Sequence, residues 1–314
     1  MSDYSKFIWY NSRILPWEDA TIHVMSHVLH YGSGVFEGIK CYDTELGPSI
    51  FRLEDHVNRL YDSANLYNIK VEIPKSDIIK GCKNIVLKNN LKSCYIRPII
   101  FYGYDTLGVD PKKCPVNISI ASFYWGAYLG DDGIAKGVNV TISPYQKFSY
   151  KAMPTTAKAS GQYMNSMLSV TDAKNRGYDE AILLDVNGNI AEGSGQNIFY
   201  VKDGVVHTND ENSSILLGIT RDTILRVCKN LNIKTEVHTF TLEEFLSADE
   251  AFFTGTASEV TPIRSIEDKL ISSGNPGNVT LILRKAYMDI VLGKDSNYSN
   301  WLSRLNYNPE ATPI

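Results

Sequence analysis

The sequence predicts an α+β protein (α/β mixed) built as two domains. Three observations point there. The chain has 314 residues, more than one typical domain. Runs with strand character and runs with helical spacing are interspersed in both halves. Finally, GAYLGDDGIAKG (Gly126–Gly137) gathers four glycines and two adjacent aspartates, the composition of a connection. The expected division is therefore 1–125, a smaller N-terminal domain; 126–137, an interdomain loop; and 138–314, a larger C-terminal domain.

In GVFEGIKCYDTELGPSIFRL, two stretches rich in β-branched and aromatic residues flank a turn-forming Asp43–Ser49 segment and predict a hairpin. LEDHVNRLYDSANLYNI places Val57, Leu60, Ala64 and Tyr67 at helical spacing. A second helix is expected after Pro74, with Ser76 as its N-cap. YIRPIIFYGY and NISIASFYW alternate as half-buried strands do. Past the connection come a strand (VNVTIS), a helix from about Gln162 to Asn175, and the strands AILLDV and NIFYV, with an Asn187-Gly188 turn after the first of these. A helix over Arg221–Leu231, a strand near Glu250–Thr254 and a helix near Leu281–Leu292 complete the series. No internal repeat or low-complexity tract occurs.

Composition narrows the function classes. A net charge of −4 gives no basic field for a polyanion, so nucleic acid is not an expected partner. No run approaches the ~18 apolar residues of a membrane span, and Asp3, Arg13, Glu18 and Asp19 interrupt the N-terminal segment where a secretory signal would be apolar. Five cysteines, odd in number and without a CxxC pair, argue against a disulfide framework or a zinc site. A reducing cytoplasm is the expected location.

Three segments have the makings of a site. TTAKASGQY (Thr155–Tyr163) sets Lys158 among small uncharged residues before a helix. A lysine deprived of water and anionic partners has a depressed pKa and becomes a nucleophile, although a solvated surface lysine fits the same pattern. In AEGSGQNIF, glycines follow Glu192 and let backbone approach it; Gly218, Ile219 and Thr220 then open a helix whose free N–H groups suit a phosphate, or simply an N-capped helix after a turn. TGTASEV (Thr254–Val260) opens a strand end into small hydroxyl-bearing residues that can face an anion.

These residues carry a resemblance. E-G-S-G-Q-N-I-F at Glu192–Phe199, V-H-T at Val206–Thr208 and L-L-G-I-T-R at Leu216–Arg221 resemble the class-IV, fold-type-IV pyridoxal-phosphate aminotransferases. WEDA, HVMSHVLHYGSGVFEGIKCYD, SCYIRP, ASFYWGAYLG, PTTAKASGQY, DVNGNIAEGSGQN and TGTASEVTPIRS make the chain similar, over nearly its whole length, to the branched-chain amino-acid branch of that family. The resemblance implies a two-domain fold like that of D-amino-acid aminotransferase, an active site between the domains, and a cofactor lysine in the C-terminal one. It implies that Lys158 is the Schiff-base lysine and proton carrier, and that Glu192 holds the pyridine nitrogen. Arg59, the backbone of Ile219 and Thr220 and the Thr256 hydroxyl would hold the phosphate. Tyr163 would bond the phenolic oxygen, and Leu216 and Gly218 would complete the cofactor site. Taken without the resemblance, Arg59 reads as a partner of Glu54, Asp55 or Asp62 on a solvated helix face.

The same resemblance implies a substrate pocket that takes a branched side chain and then glutamate, in ping-pong alternation with 2-oxoglutarate. Phe36, Val109 and Trp125 match its apolar wall, and Gly38 lines it. Tyr31, Arg97 and Tyr128 match the groups for the distal carboxylate, and Tyr95 with the backbone of Thr256 and Ala257 the α-carboxylate site. Simple core packing is the other reading of Phe36 and Trp125. Members form homodimers, often assembled into hexamers, in which Tyr31 and Val109 act across the interface. Gln196 departs from the glutamate of many relatives and Leu217 from a proline of some. His23, His27 and His30 are spaced like helix-borne metal ligands, but no carboxylate or cysteine lies among them and Gly32 and Gly34 argue for a loop, so no metal is expected there.

Overall fold

The computed structural model describes residues 5–126 and 129–306, except for the side chains of 131, 132 and 134. The chain divides into two compact units: one comprises 1–125, 157–162 and 289–314, the other 126–156 and 163–288.

In the first unit the chain forms β1 (Phe7–Tyr10), β2 (Arg13–Pro16), α1 (His27–Tyr31), β3 (Gly34–Phe36), β4 (Ile39–Thr44), β5 (Gly47–Phe51), α2 (Leu53–Leu66), α3 (Lys75–Lys88), β6 (Cys94–Tyr102) and β7 (Val116–Phe123). The hairpin expected around Asp43–Ser49 is the antiparallel β4–β5 pair. The sheet runs β5-β4-β6-β7-β1-β2, with β3 paired to β6. On α2, Leu53, Val57, Leu60 and Ala64 recur every three or four residues and are buried; on α3, Ile78, Cys82 and Ile85 do the same. These stripes join Ile39, Ile50, Ile96 and Ile120 of the sheet in one core. Each fully buried aliphatic chain there contributes about 1.5–3 kcal/mol. The N-cap of α3 is Pro74 rather than Ser76: the Pro74 carbonyl accepts from Asp77 N–H, and Ser76 Oγ turns to the Asp77 carboxylate.

The second unit contains α4 (Gly130–Lys136), β8 (Val138–Ile142), α5 (Tyr163–Asn175), β9 (Glu180–Leu184), β10 (Ile190–Gly193), β11 (Asn197–Lys202), β12 (Val205–Thr208), α6 (Ile219–Asn230), β13 (Thr235–Val237), α7 (Leu242–Leu246), β14 (Glu250–Gly255), β15 (Glu259–Ile266), β16 (Lys269–Leu270) and, mostly within it, α8 (Asn278–Val291). Its sheet runs β10-β9-β8-β15-β14-β11-β12-β13, with β16 on β15. Val138, Val140, Ile182, Ile198, Phe245 and Phe253 lie in its core. A capping box starts α7, where Thr241 Oγ1 accepts from Glu244 N–H and the Glu244 carboxylate from Thr241 N–H.

This division departs from the expected boundaries. The 157–162 segment, with Lys158, belongs to the first unit, because Val35 and Ala159 form a bridge and Gly161 N–H donates to the Gly32 carbonyl. The last strand, β17 (Leu302–Arg304), pairs antiparallel with β5, which draws the C-terminal segment into the same unit. The expected loop 126–137 contains α4; of its four glycines, Gly130 and Gly137 sit at the helix ends at positive φ, while Gly133 lies within the helix. Around His27 the expected loop is the short α1, closed by Gly32 in the left-handed conformation. All five cysteines are buried and free. Among the described residues no helix is long and apolar enough to cross a membrane.

Glu250 secures the start of α8. Its carboxylate accepts from Val279 N–H (3.0 Å), Thr280 N–H (2.7 Å) and Thr280 Oγ1 (2.7 Å). Glu250→Ala is expected to lower unfolding stability by about 1.5–3 kcal/mol, read from the urea midpoint. An unchanged midpoint would show that water replaces these bonds without loss.

Candidate active site

Lys158 is held by its backbone on both sides. Its N–H donates to Ser63 Oγ on α2, and its carbonyl accepts from Phe36 N–H on β3, each at 3.0 Å. The following turn depends on glycine: a Cβ on Gly32 would stand 2.7 Å from Gly161 Cα. The Lys158 amine lies 5.1 Å from the centroid of the Phe36 ring. Burial strips it of water, Arg59 and Arg97 add repulsion, and these outweigh the pull of Glu37 and Tyr95, so its pKa falls from the ordinary lysine value to about 8. A neutral, nucleophilic amine is therefore accessible near physiological pH.

The counter-charge nearby is Glu37, fully buried between β3 and β4. Its carboxylate takes two bonds from Arg59, Nε to Oε1 at 2.6 Å and Nη2 to Oε2 at 2.9 Å, and one contact with His56 Nδ1 at 2.7 Å. Burial alone would raise the Glu37 carboxyl, but Arg59 and His56 hold it well below the usual carboxylate range. His56 is itself kept below its ordinary value by burial, despite Glu37. Arg59 thus pairs with Glu37, and Asp55 of its own helix pairs with Arg52 at 2.6 Å. Sequence reading missed Glu37 and His56. The available signals were an acid inside the apolar run VFEGI, and a histidine three residues before Arg59, on the same helix face.

Phe36, Tyr95 and Trp125 surround the Arg97 guanidinium, their ring centroids 4.9, 5.2 and 5.9 Å from its central carbon. Tyr95 and Trp125 meet edge to face at 4.6 Å. Gly38 makes this possible, since a Cβ there would fall 1.8 Å from Tyr95 Oη. Among the described residues nothing hydrogen-bonds the buried Nε of Arg97, a donor that suits an anion. Tyr31 and Val109 are on the surface, 45% and 77% exposed, with the Tyr31 hydroxyl donating to the Leu107 carbonyl. Tyr128 lies outside the described residues.

In the second unit Glu192 sits on β10, at a register shift against β9. Its carboxylate pairs with Lys147 Nζ at 2.6 Å and accepts from Leu216 N–H at 3.0 Å. Lys147, which the sequence did not single out, is buried with it. Asn197 donates to the Leu216 carbonyl, so the segment before α6 is tied to two strands. Gly218 is the N-cap of α6, with Ile219 and Thr220 in its first turn. A Cβ on Gly218 would meet Asn197 Oδ1 at 2.0 Å. Thr256 and Ala257 occupy the turn between β14 and β15, flanked by the buried hydroxyls Thr254 Oγ1 and Ser258 Oγ, which make no hydrogen bond among the described residues. Tyr163 is the first residue of α5.

Gln196 has a physical reason to be an amide. Its Nε2 donates to the buried Glu180 carboxylate at 2.9 Å, where a glutamate would oppose like charge. Burial raises the Glu180 carboxyl. The ring nitrogens of the N-terminal histidines are turned to other partners: His27 to Ser33 Oγ and the Gly108 carbonyl, His30 to the Val24 carbonyl, His23 to Met25 N–H.

Two outcomes follow from this geometry. In cofactor-free protein, modification of Lys158 by an amine-selective reagent, read by mass spectrometry of its peptide, should rise with a midpoint near pH 8. Below that pH the amine is charged and unreactive; a midpoint at the ordinary lysine value would refute the buried setting. Glu37→Gln leaves Arg59 without its counter-charge and should cost about 3–5 kcal/mol of stability at neutral pH. Because the Glu37 pKa is depressed on folding, that difference is present above the unfolded carboxyl value and should shrink as pH falls below it. A constant difference across that range would contradict the ionised pair.

Comparison with known proteins places this arrangement. Residues 34–266 match the family model for class IV amino-transferases. A branched-chain-amino-acid aminotransferase of Pseudomonas aeruginosa is 44% identical over 301 residues, 96% of this chain and 98% of that protein. The crystal structure of the Escherichia coli branched-chain amino acid aminotransferase superposes with a TM-score of 0.94 at 42% identity, over 98% of this chain and 100% of that one. The enzyme of the same name from Thermobaculum terrenum, solved in its PLP-bound holo-form, gives 0.90 at 32% identity over 97% and 100%. With its lysine segment and its Glu-Gly-Ser-Gly strand end inside the matched region, the chain belongs to the class-IV aminotransferases, on their branched-chain-amino-acid branch.

Proposed function

We propose that this enzyme uses pyridoxal 5'-phosphate to transfer the amino group of L-leucine, L-isoleucine or L-valine reversibly to 2-oxoglutarate, giving the branched 2-oxo acid and L-glutamate by a ping-pong route. The observation that carries the reading is the desolvated Lys158 amine, fixed by its backbone and set against Phe36. The chemistry of the remaining groups fits the cofactor: a buried carboxylate, a helix N-terminus and a turn with buried hydroxyls that make no hydrogen bond among the described residues. Lys158 would carry it covalently. Arg59, the Ile219 and Thr220 backbone and the Thr256 hydroxyl would hold the phosphate, Tyr163 the phenolic oxygen and Glu192 the pyridine nitrogen, with Leu216 and Gly218 alongside.

When bound, the cofactor supplies an electron sink for the carbon that loses its proton. The protein's own groups do the rest. The Lys158 amine, neutral above about pH 8, would take up the substrate α-proton at Nζ and give it back on the return of the transfer. Glu192, bonded to Lys147 Nζ and Leu216 N–H, would present its carboxylate to the ring nitrogen. Tyr95 and the Thr256–Ala257 backbone would receive the α-carboxylate. Phe36, Gly38 and Trp125 would line the apolar wall, and Arg97 with Tyr31 and Tyr128 would receive the distal carboxylate of glutamate. A guanidinium ringed by aromatic faces can serve both substrates, since the rings accept a branched chain and the fork accepts a carboxylate. The exposed Tyr31 and Val109 suit a role across the interface of a homodimer, itself able to assemble into a hexamer. Five buried free thiols accord with the cytoplasm.

Steady-state assays across L-amino acids and 2-oxo acids test the reading. The wild-type protein should be yellow and turn over L-leucine, L-isoleucine and L-valine with 2-oxoglutarate, and Lys158→Ala should lose both colour and activity. A colourless protein that takes up no pyridoxal phosphate would end the proposal, and a preference for D-alanine over L-leucine would redirect it to another branch. Arg97→Lys should raise KM for 2-oxoglutarate far more than for leucine, because an ammonium cannot offer the planar fork.

A further inference from the structure

A second cluster of chemistry-bearing residues lies at the opposite sheet edge from β10, on β12 and β13. His207 and Glu236 are directly paired in the parallel β12–β13 ladder, and His238 follows β13 immediately. The His207 Nδ1 and His238 Nε2 atoms are 3.1 Å apart, and Glu236 Oε2 stands 3.8 Å from His207 Nδ1. One potential ligand atom from each residue thus falls within 4.8 Å of both others. Two imidazole nitrogens on one tetrahedral zinc ion, with bonds of ~2.0–2.1 Å, are separated by about 3.3 Å, close to the spacing found.

The surroundings pre-orient all three groups. His238 Nδ1 faces the Thr239 carbonyl at 2.9 Å, which places the ring proton on that nitrogen and turns the lone pair of Nε2 toward His207. The His207 ring stacks on Tyr200 at 4.5 Å with an interplanar angle of 8°. Lys234 Nζ engages Glu236 Oε1 at 2.7 Å, leaving Oε2 directed at the histidines. Two imidazoles and one carboxylate form a donor set that takes zinc-class divalent ions, with a further position for water. Calcium and magnesium, which need more oxygen donors, do not suit it.

We propose that His207, Glu236 and His238 form a binding site for a zinc-class divalent cation, which fastens the short edge strand β13 to β12. The ion would have a structural effect, because β13 is a three-residue strand at the end of the sheet order and a cross-link there restrains it. Nothing in the proposal depends on the amino-transfer site.

Equilibrium dialysis of the cofactor-loaded enzyme against Zn(II) tests it, with thermal unfolding followed in parallel. Wild type should retain a single equivalent per chain and unfold at higher temperature with the metal than without. His207→Gln and His238→Gln should each weaken binding by ~100-fold or more, at least the loss expected from disturbing a metal's outer shell. Glu236→Gln should weaken it as well, and Lys234→Met should not. Amino-transfer activity should stay at the wild-type level in the His207 and His238 variants, which separates loss of metal from loss of fold. Failure of wild type to retain Zn(II), or retention unchanged in both histidine variants, would overturn the site.

Discussion

The ion cluster at Glu37 is the constraint around which the polar centre of the first unit is arranged. A carboxylate fully removed from water survives only if its charge is matched and its oxygens are bonded, and here both oxygens are engaged by Arg59 and one by His56. That demand fixes the direction of the Arg59 side chain on α2. It also sets the field at Lys158: burial is the largest influence and lowers the lysine to about 8, the arginine adds repulsion, and Glu37 attracts the charged form. Had Glu37 been placed against Lys158 instead, the lysine would be a charged partner in a salt bridge and a poor nucleophile.

A related constraint governs Arg97. The aromatic faces of Phe36, Tyr95 and Trp125 stabilise the guanidinium next to them, and among the described residues its Nε retains capacity for an anion. Gly38 is as much a part of this arrangement as the rings, since any side chain there would occupy the place of the Tyr95 hydroxyl. In the second unit Glu192 is handled differently: Lys147 and a backbone N–H take its two oxygens, and Asn197 secures the same loop to β11. Glu37 and Glu192 are thus each stabilised by a buried or partly buried cation, Arg59 and Lys147.

Much of the fold was legible in the chain. The helices α2, α3, α5 and α6 carry apolar stripes or clear start signals, and the hairpin β4–β5 has a turn between two β-rich runs. Elements that escaped were those whose local pattern is weak. β10 is four residues long and includes Glu192 and Gly193; β15 carries Pro262 and Arg264 yet is held between β14 and β8. β10 is paired by its sequence neighbour β9 but is too short and polar to show alternation, whereas β15 is paired in part by the distant β8, which leaves no local trace. The same reason explains why β17 and the 157–162 segment join the first unit.

The sequence by itself determined the family, through EGSGQNIF, LLGITR and the segments around Lys158, because a cofactor chemistry restricts residue type at fixed positions along the chain. It also determined which lysine to suspect, since only resemblance ranks Lys158 above the other lysines. Tertiary structure decided the electrostatics. That Arg59 answers Glu37, that Lys147 sits on Glu192, and that His207 meets His238 are all long-range facts. Charge and burial depend on distance in space, which the order of residues along a chain does not give.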